Sequence, residues 1–133
     1  MRRKALVVED DPTTRDALVE MLESEGCVVE TAEDGEIALG LLCREEYDVV
    51  LLDILLPKIS GTDVMEQLLC VRPEVLTSII VVTGVDVAEI RKLCPDVCDT
   101  LGKPLILNRL LRAIRQCIGP SQSGNGGIAR GFA

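Results

Sequence analysis

Five side chains in this sequence have the types and spacing to handle a phosphoryl group: Glu9, Asp10, Asp53, Thr83 and Lys103. Asp10 and Asp53 are 43 positions apart, Asp53 and Thr83 are 30 apart, and Thr83 and Lys103 are 20 apart. Each closes or follows a short apolar run. Clustered carboxylates repel one another and raise each other's pKa unless a cation compensates them. Magnesium is a fitting compensator, because it takes few protein carboxylates, keeps several waters and leaves room for phosphate oxygens. A hydroxyl at Thr83 can donate to a phosphoryl oxygen, and an ammonium at Lys103 supplies a compact positive charge. A carboxylate nucleophile, a metal, a hydroxyl and an ammonium together describe a phosphoryl-accepting centre with Asp53 as the acceptor. Taken singly, each residue has a plainer reading. Glu9 and Asp10 suit a helix N-terminus, Thr83 suits a strand end, and Lys103 suits a solvated surface. Only the set carries chemistry.

The elements that must position this set follow from hydrophobic patterning. Val49-Val-Leu-Leu-Asp53 is a continuous apolar run, as expected of a strand buried on both faces. Ala5–Val8, Cys27–Thr31, Ser78–Thr83 and the poorer run Val97–Leu101 read as four more strands. Between them lie helical stripes. Leu18, Met21 and Leu22 follow an acidic residue and Pro12 and stop at Gly26; Ile37, Ala38, Leu41 and Leu42 follow the Asp34-Gly35 cap. Val64, Met65, Leu68 and Leu69 come after Gly61; a short segment from Asp86 to about Leu93 is broken by Pro95; and Leu107, Leu110, Leu111, Ile114 and Cys117 close the series, with Arg109, Arg112 and Arg115 on the opposite side. That arginine stripe reads first as a solvated face and second as a docking face.

Strand and helix alternate five times, which requires parallel strands joined by right-handed crossovers. The fold class is therefore α/β: one doubly wound five-stranded parallel sheet, in the order 2-1-3-4-5, with helices on both faces. In that order strands one and three are neighbours at the switch point, and ligands bind beyond the carboxyl ends of the strands. Asp10 and Asp53 are then side by side. The domain is expected over residues 1–118. Residues 119–133 are Gly/Ser-rich and unpatterned, and read as a flexible tail or a truncated linker.

Composition removes several other classes. A net charge of −8 argues against nucleic acid as a direct partner. No apolar run approaches the ~20 residues of a membrane span, and Ala5–Val8 is too short for a signal-peptide core. The core must be aliphatic, because Tyr47 and Phe132 are the two aromatics. Six cysteines occur without a CxxC pair and without any histidine, so a zinc site is disfavoured. Scattered free thiols in an acidic, cytoplasmic domain are the expectation.

The segments ALVVEDDPTTR, the Asp34-Gly35 turn, LLDILLPKISG, VVTG and GKPL, in this order and each near a strand end, resemble the receiver domain of two-component response regulators over residues 4–118. The resemblance implies that Asp53 accepts a phosphoryl group from a histidine kinase or phosphotransfer protein, forming an acyl phosphate. It implies magnesium held directly by Asp10 and Asp53, by Glu9 through water, and by the carbonyl of Leu55. Thr83 and Lys103 then contact the phosphoryl oxygens, and the Lys103-Pro104 bond is cis. It also implies a downstream protein target, a possible homodimer, and an output face made by the fourth helix, fifth strand and fifth helix.

Three departures stand out. Thr100 occupies a position where the family usually has an aromatic that turns inward on phosphorylation. The Thr83–Lys103 spacing is shorter than the family's. Leu55 and Val85, where the family tunes water access, offer no polar atom to orient a water, so slow self-dephosphorylation is expected. Thr100 and the short spacing favour an alternative of another class, a receiver-like scaffold that binds partners without phosphorylation; the complete acidic, Thr and Lys set argues against it. A magnesium-dependent phosphatase needs a second acid two residues after the nucleophile, and Leu55 stands there.

Overall fold

A computed structural model describes residues 2–118. The strands are β1 (Arg3–Val8), β2 (Cys27–Ala32), β3 (Val49–Asp53), β4 (Ile79–Thr83) and β5 (Asp99–Gly102). The helices are α1 (Pro12–Ser24), α2 (Gly35–Arg44), α3 (Gly61–Val71), α4 (Val87–Leu93) and α5 (Leu107–Ile118). A 3₁₀ segment, Pro73–Ser78, precedes β4. The sheet is parallel in the order β2-β1-β3-β4-β5, as the alternation requires.

Period two in the strands divides the core into two layers. Leu6, Val8, Val50, Leu52, Ile79 and Val81 face α2, α3 and α4, where Ala38, Leu42, Val64, Leu68 and Ile90 meet them. Ala5, Val7, Val49, Leu51 and Ile80 face α1 and α5, against Leu18, Leu22, Leu110 and Ile114. Every residue of β3 and β4 is buried, which is why those strands read as unbroken apolar runs. Truncating one of the central leucines, such as Leu52, costs roughly 2–5 kcal/mol at fully buried sites of this kind.

The helices start where the sequence provides caps. Asp11 accepts from the Thr14 amide at 2.8 Å with Pro12 in the first turn. Asp34 accepts from the Ile37 amide at 2.8 Å. Ser60 opens α3 through the Asp63 amide at 3.2 Å. Gly26, with φ of 90°, follows the cap of α1 as expected of a helix stop.

Three expectations need correction. The fifth strand begins at Asp99, not Val97, because Pro95 and the residues after it are taken up in a turn. The fourth strand begins at Ile79, because Ser78 ends the 3₁₀ segment. The cysteines are not all free thiols: Cys98 and Cys117 form a disulfide, with Cα atoms 6.1 Å apart. The cause is topological. A helix following a parallel strand runs back along the sheet, so the end of α5 returns to the level where β5 begins. Cys27, Cys43, Cys70 and Cys94 are free. The expected tail, 119–133, lies outside the described residues.

Candidate functional site

Asp53 is the last residue of β3 and is buried. β1 lies beside β3, and the chain leaving β1 carries Glu9 and Asp10 to the same edge. Glu9 is buried and Asp10 is exposed, and carboxylate oxygens of Glu9, Asp10 and Asp53 lie within 4.8 Å of one another. On the other side of β3, the ladder pairs Asp53 with Val82, which puts Thr83 one residue further at the strand end. Thr83 in turn pairs with Gly102, and its carbonyl accepts the Lys103 amide at 2.8 Å. Lys103 Nζ lies 3.0 Å from Asp53 Oδ2 and 3.7 Å from Glu9 Oε1. The Lys103-Pro104 bond is cis, as expected.

The loop leaving β3 is held close by two glycines. At Gly61 a Cβ would sit 2.5 Å from the Asp53 carbonyl oxygen and 2.8 Å from Ile54 Cα, and the Gly61 amide donates to Ile54 O at 2.8 Å. At Gly35 a Cβ would collide with the Ile59 carbonyl, and the Gly35 amide donates to Pro57 O. The short turn between Asp53 and α3 therefore needs both small residues. Within it the Leu55 amide donates to Asp53 Oδ1 at 3.2 Å, so both carboxylate oxygens are held. The Leu55 and Val85 side chains are exposed.

The electrostatics follow from this crowding. Burial pushes the Glu9 carboxyl above the usual range, and the neighbouring Asp53 and Asp10 charges add to the rise; the Asp11 amide, donating at 3.2 Å, opposes it. For Lys103, burial works against the charged form. It is outweighed by the hydrogen bond and charge of Asp53 and by Glu9, so the ammonium is held above its ordinary value. Three carboxylates thus face one ammonium. The donors are all hard oxygens and carry surplus negative charge, which fits a magnesium-type cation.

The five residues expected to act together are brought to one edge, with Leu55 beside them. Arg15 was not foreseen as part of this region; its Nη1 donates to the Glu9 carbonyl at 3.0 Å and ties α1 to the acidic turn. A position one turn into α1 was its sole signal. Thr83 Oγ1 accepts the Val85 amide at 2.9 Å, which leaves its own proton available. Thr100 is 1% exposed and its hydroxyl has no partner among the described residues. Its carbonyl accepts from Arg91 Nη2 at 3.1 Å. The same residue lines a cavity of about 360 Å³ together with Val87, Arg91, Lys103 and Arg109. Of the α5 arginines, Arg115 is not simply solvated, because it grips Glu25 at 3.1 and 3.2 Å.

This sheet order, with acidic residues at the switch point and a lysine two strands beyond, defines a response-regulator type of α/β domain. The model of the response regulator receiver domain matches residues 5–115, and the chain belongs to that family. It is 36% identical over 114 residues to response regulator MprA of Mycolicibacterium vanbaalenii, covering 84% of this chain and 48% of that protein. The chain spans about half or less of the length of the first curated relatives it matches. Among solved structures, the CheY-like receiver domain protein of Methanospirillum hungatei superposes with a TM-score of 0.80 at 28% identity, covering 95% of this chain and 100% of that one. The receiver domain of the sensor histidine kinase PA1611 from Pseudomonas aeruginosa, solved with magnesium in its active-site cleft, gives 0.78 at 28% identity, covering 90% and 99%. No described helix is long and apolar enough to cross a membrane.

Proposed function

We propose that this chain is a phospho-accepting receiver in which Asp53 takes a phosphoryl group from a histidine kinase or phosphotransfer protein. The observation that carries this is the buried Asp53 carboxylate, 3.0 Å from Lys103 Nζ and grouped with two further carboxylates at one sheet edge. These 133 residues contain no histidine, so a phosphohistidine donor lies outside them. A carboxylate oxygen of Asp53 bonds to phosphorus as the bond to the donor imidazole breaks, and the imidazole leaves with that electron pair. Lys103 gives up part of its contact with Asp53 and meets a phosphoryl oxygen. Thr83 donates its free proton to another, while continuing to accept from the Val85 amide.

Magnesium fits Glu9, Asp10, Asp53 and the Leu55 carbonyl, and when bound it supplies the positive charge that lets an anionic phosphoryl group approach three carboxylates. The magnesium in the PA1611 receiver supports the same choice here. The phosphorylated chain then presents altered protein contacts to a downstream target, with the cytoplasm as its setting. Direct nucleic-acid binding has no basis in a net charge of −8, and a homodimer is a natural form of output.

The test is the mass of the protein after incubation with acetyl phosphate and magnesium, for wild type and Asp53→Ala. One phosphoryl group on wild type and none on the variant is the expected result. Failure of wild type to take up phosphate from either acetyl phosphate or a kinase would leave the phosphorylation-independent scaffold as the better reading.

A further inference from the structure

Cys98 and Cys117 meet where the end of α5 returns to the start of β5. Cys98 is fixed to the sheet through its amide, which donates to the Ile79 carbonyl at 2.8 Å, just before β5 begins. Cys117 is in the last turn of α5. Both are partly buried and pack on the same core layer as Leu101, Leu105 and Ile118. Their Cα separation of 6.1 Å is inside the roughly 4.4–6.8 Å range that a disulfide spans without backbone movement. Neither residue is fully buried, in contrast to Cys27, which is 3% exposed. The link closes a loop 19 residues apart in sequence that contains β5, Lys103 and all of α5 up to its last turn.

We propose that Cys98 and Cys117 form a reversible dithiol–disulfide site, whose substrates are low-molecular-weight thiols and disulfides and whose state fixes or frees the end of α5. This does not depend on Asp53 accepting a phosphoryl group. In the oxidising direction one cysteine thiolate attacks a small disulfide RSSR. A protein–SR bond forms and RS⁻ leaves. The second thiolate then attacks the protein sulfur of that mixed disulfide, forming the Cys98–Cys117 bond and expelling the second RS⁻. The two cysteines lose two protons and two electrons, and RSSR becomes two RSH. In the reducing direction two RSH reverse these steps.

The consequence is local. Leu110, Ala113 and Ile114 hold α5 to the sheet by burial alone, so the helix persists when the bond opens. Beyond Ile114, the described part of α5 has no fully buried side chain. Its last turn is tied by the disulfide, by partial packing of Cys117 and Ile118, and by the exposed Arg115–Glu25 pair. That pair is bidentate but solvent-screened, with the arginine side chain 65% exposed, so it slows rather than prevents release of the turn. Reduction therefore releases the last turn of α5 while the phosphoryl site keeps its ladders.

The test holds the full chain in buffers of reduced and oxidised glutathione at a series of ratios. Acid quenching, denaturation and labelling with N-ethylmaleimide then give the number of free thiols by mass. Wild type is expected to interconvert between six and four labelled cysteines in one two-electron step, with Cys98 and Cys117 in one linked peptide. Cys98→Ser is expected to form no intramolecular link in any buffer; its Cys117 is either a labelled thiol or a mixed disulfide carrying the mass of one glutathione. Hydrogen exchange gives the structural readout. Amides of residues 115–118 in wild type are expected to exchange about tenfold faster or more after reduction, as for a helix end released to fraying, with no reductant effect in the variant. Six labels at every ratio, a linkage between other cysteines, or a bond that survives excess reduced glutathione would overturn the proposal. So would unchanged exchange at 115–118 on reducing wild type, a result that needs no variant to fold.

Discussion

Thr83 and Thr100 are both buried threonines on neighbouring strands, and the same substitution at each is expected to act with opposite sign. Thr83→Val removes an oxygen that accepts the Val85 amide at 2.9 Å. Leaving a buried or half-buried donor unpaired costs about 1–3 kcal/mol. Thr100→Val removes a hydroxyl that is 1% exposed and has no partner among the described residues, so the variant is relieved of a desolvation penalty of similar size. Both residues are β-branched, so strand propensity and χ1 restriction change little. A stability gain of about 1 kcal/mol at Thr100 and a loss of about 1–3 kcal/mol at Thr83 follow, a spread of roughly 2–4 kcal/mol between two chemically identical changes. Urea unfolding measures both, and the midpoint should move while the slope stays constant, because the surface exposed on unfolding is the same. Thr100→Val destabilised by as much as Thr83→Val would refute the reasoning. It would mean that the Thr100 hydroxyl is satisfied, by water or by a rotated partner.

Three other outcomes follow from the same geometry. The acyl phosphate on wild type should persist for minutes, because Leu55 and Val85 offer no atom to orient a water; decay within seconds, followed by mass, would contradict this, and Leu55→Glu should shorten the lifetime. Gly61→Ala forces a Cβ against the Asp53 carbonyl oxygen and Ile54, which should cost about 1–3 kcal/mol in urea unfolding and slow uptake from acetyl phosphate; a neutral effect on both would show that the turn yields. Tyr47 donates to Glu30 at 2.6 Å, and burial first, then that carboxylate, raises its phenol above the ordinary value of 10.0. The folded state thus keeps its proton longer than the unfolded chain. The contribution is complete below pH 10 and is lost as pH rises beyond it toward the folded value, so Tyr47→Phe should flatten the fall in stability above pH 10, while costing about 1 kcal/mol at neutral pH.

Much of this molecule was legible before any coordinates. β3 and β4 are buried on both faces and advertise themselves as unbroken aliphatic runs. Their ends carry Asp53 and Thr83, so the parallel order alone brings those residues to one edge. The caps at Asp11 and Asp34 are local chemistry and sit beside the helices they start. What the residues could not disclose is set by distant packing. Pro95 marks a break but does not say how many following residues the turn consumes, and β5 starts two positions later than its apolar pattern. The pairing of Cys98 with Cys117 depends on how far α5 runs back along the sheet, which cysteine spacing does not encode. Arg15 reaching the Glu9 carbonyl is likewise a matter of where α1 leans.

The ladder has an uneven distribution of support. β1, β3 and β4 each have hydrogen-bonded strands on two sides, whereas β5 has four residues and one neighbouring strand, β4. Lys103 is the hinge between these regimes: its side chain touches Asp53 on the braced interior, and its backbone leaves the lightly held margin. Opening free energies fall from interior strands to margins of this kind. The backbone around Asp53 is therefore braced on the β1 side and yields first toward β5, so the direction of any displacement that starts at Asp53 is already written into the order of the strands.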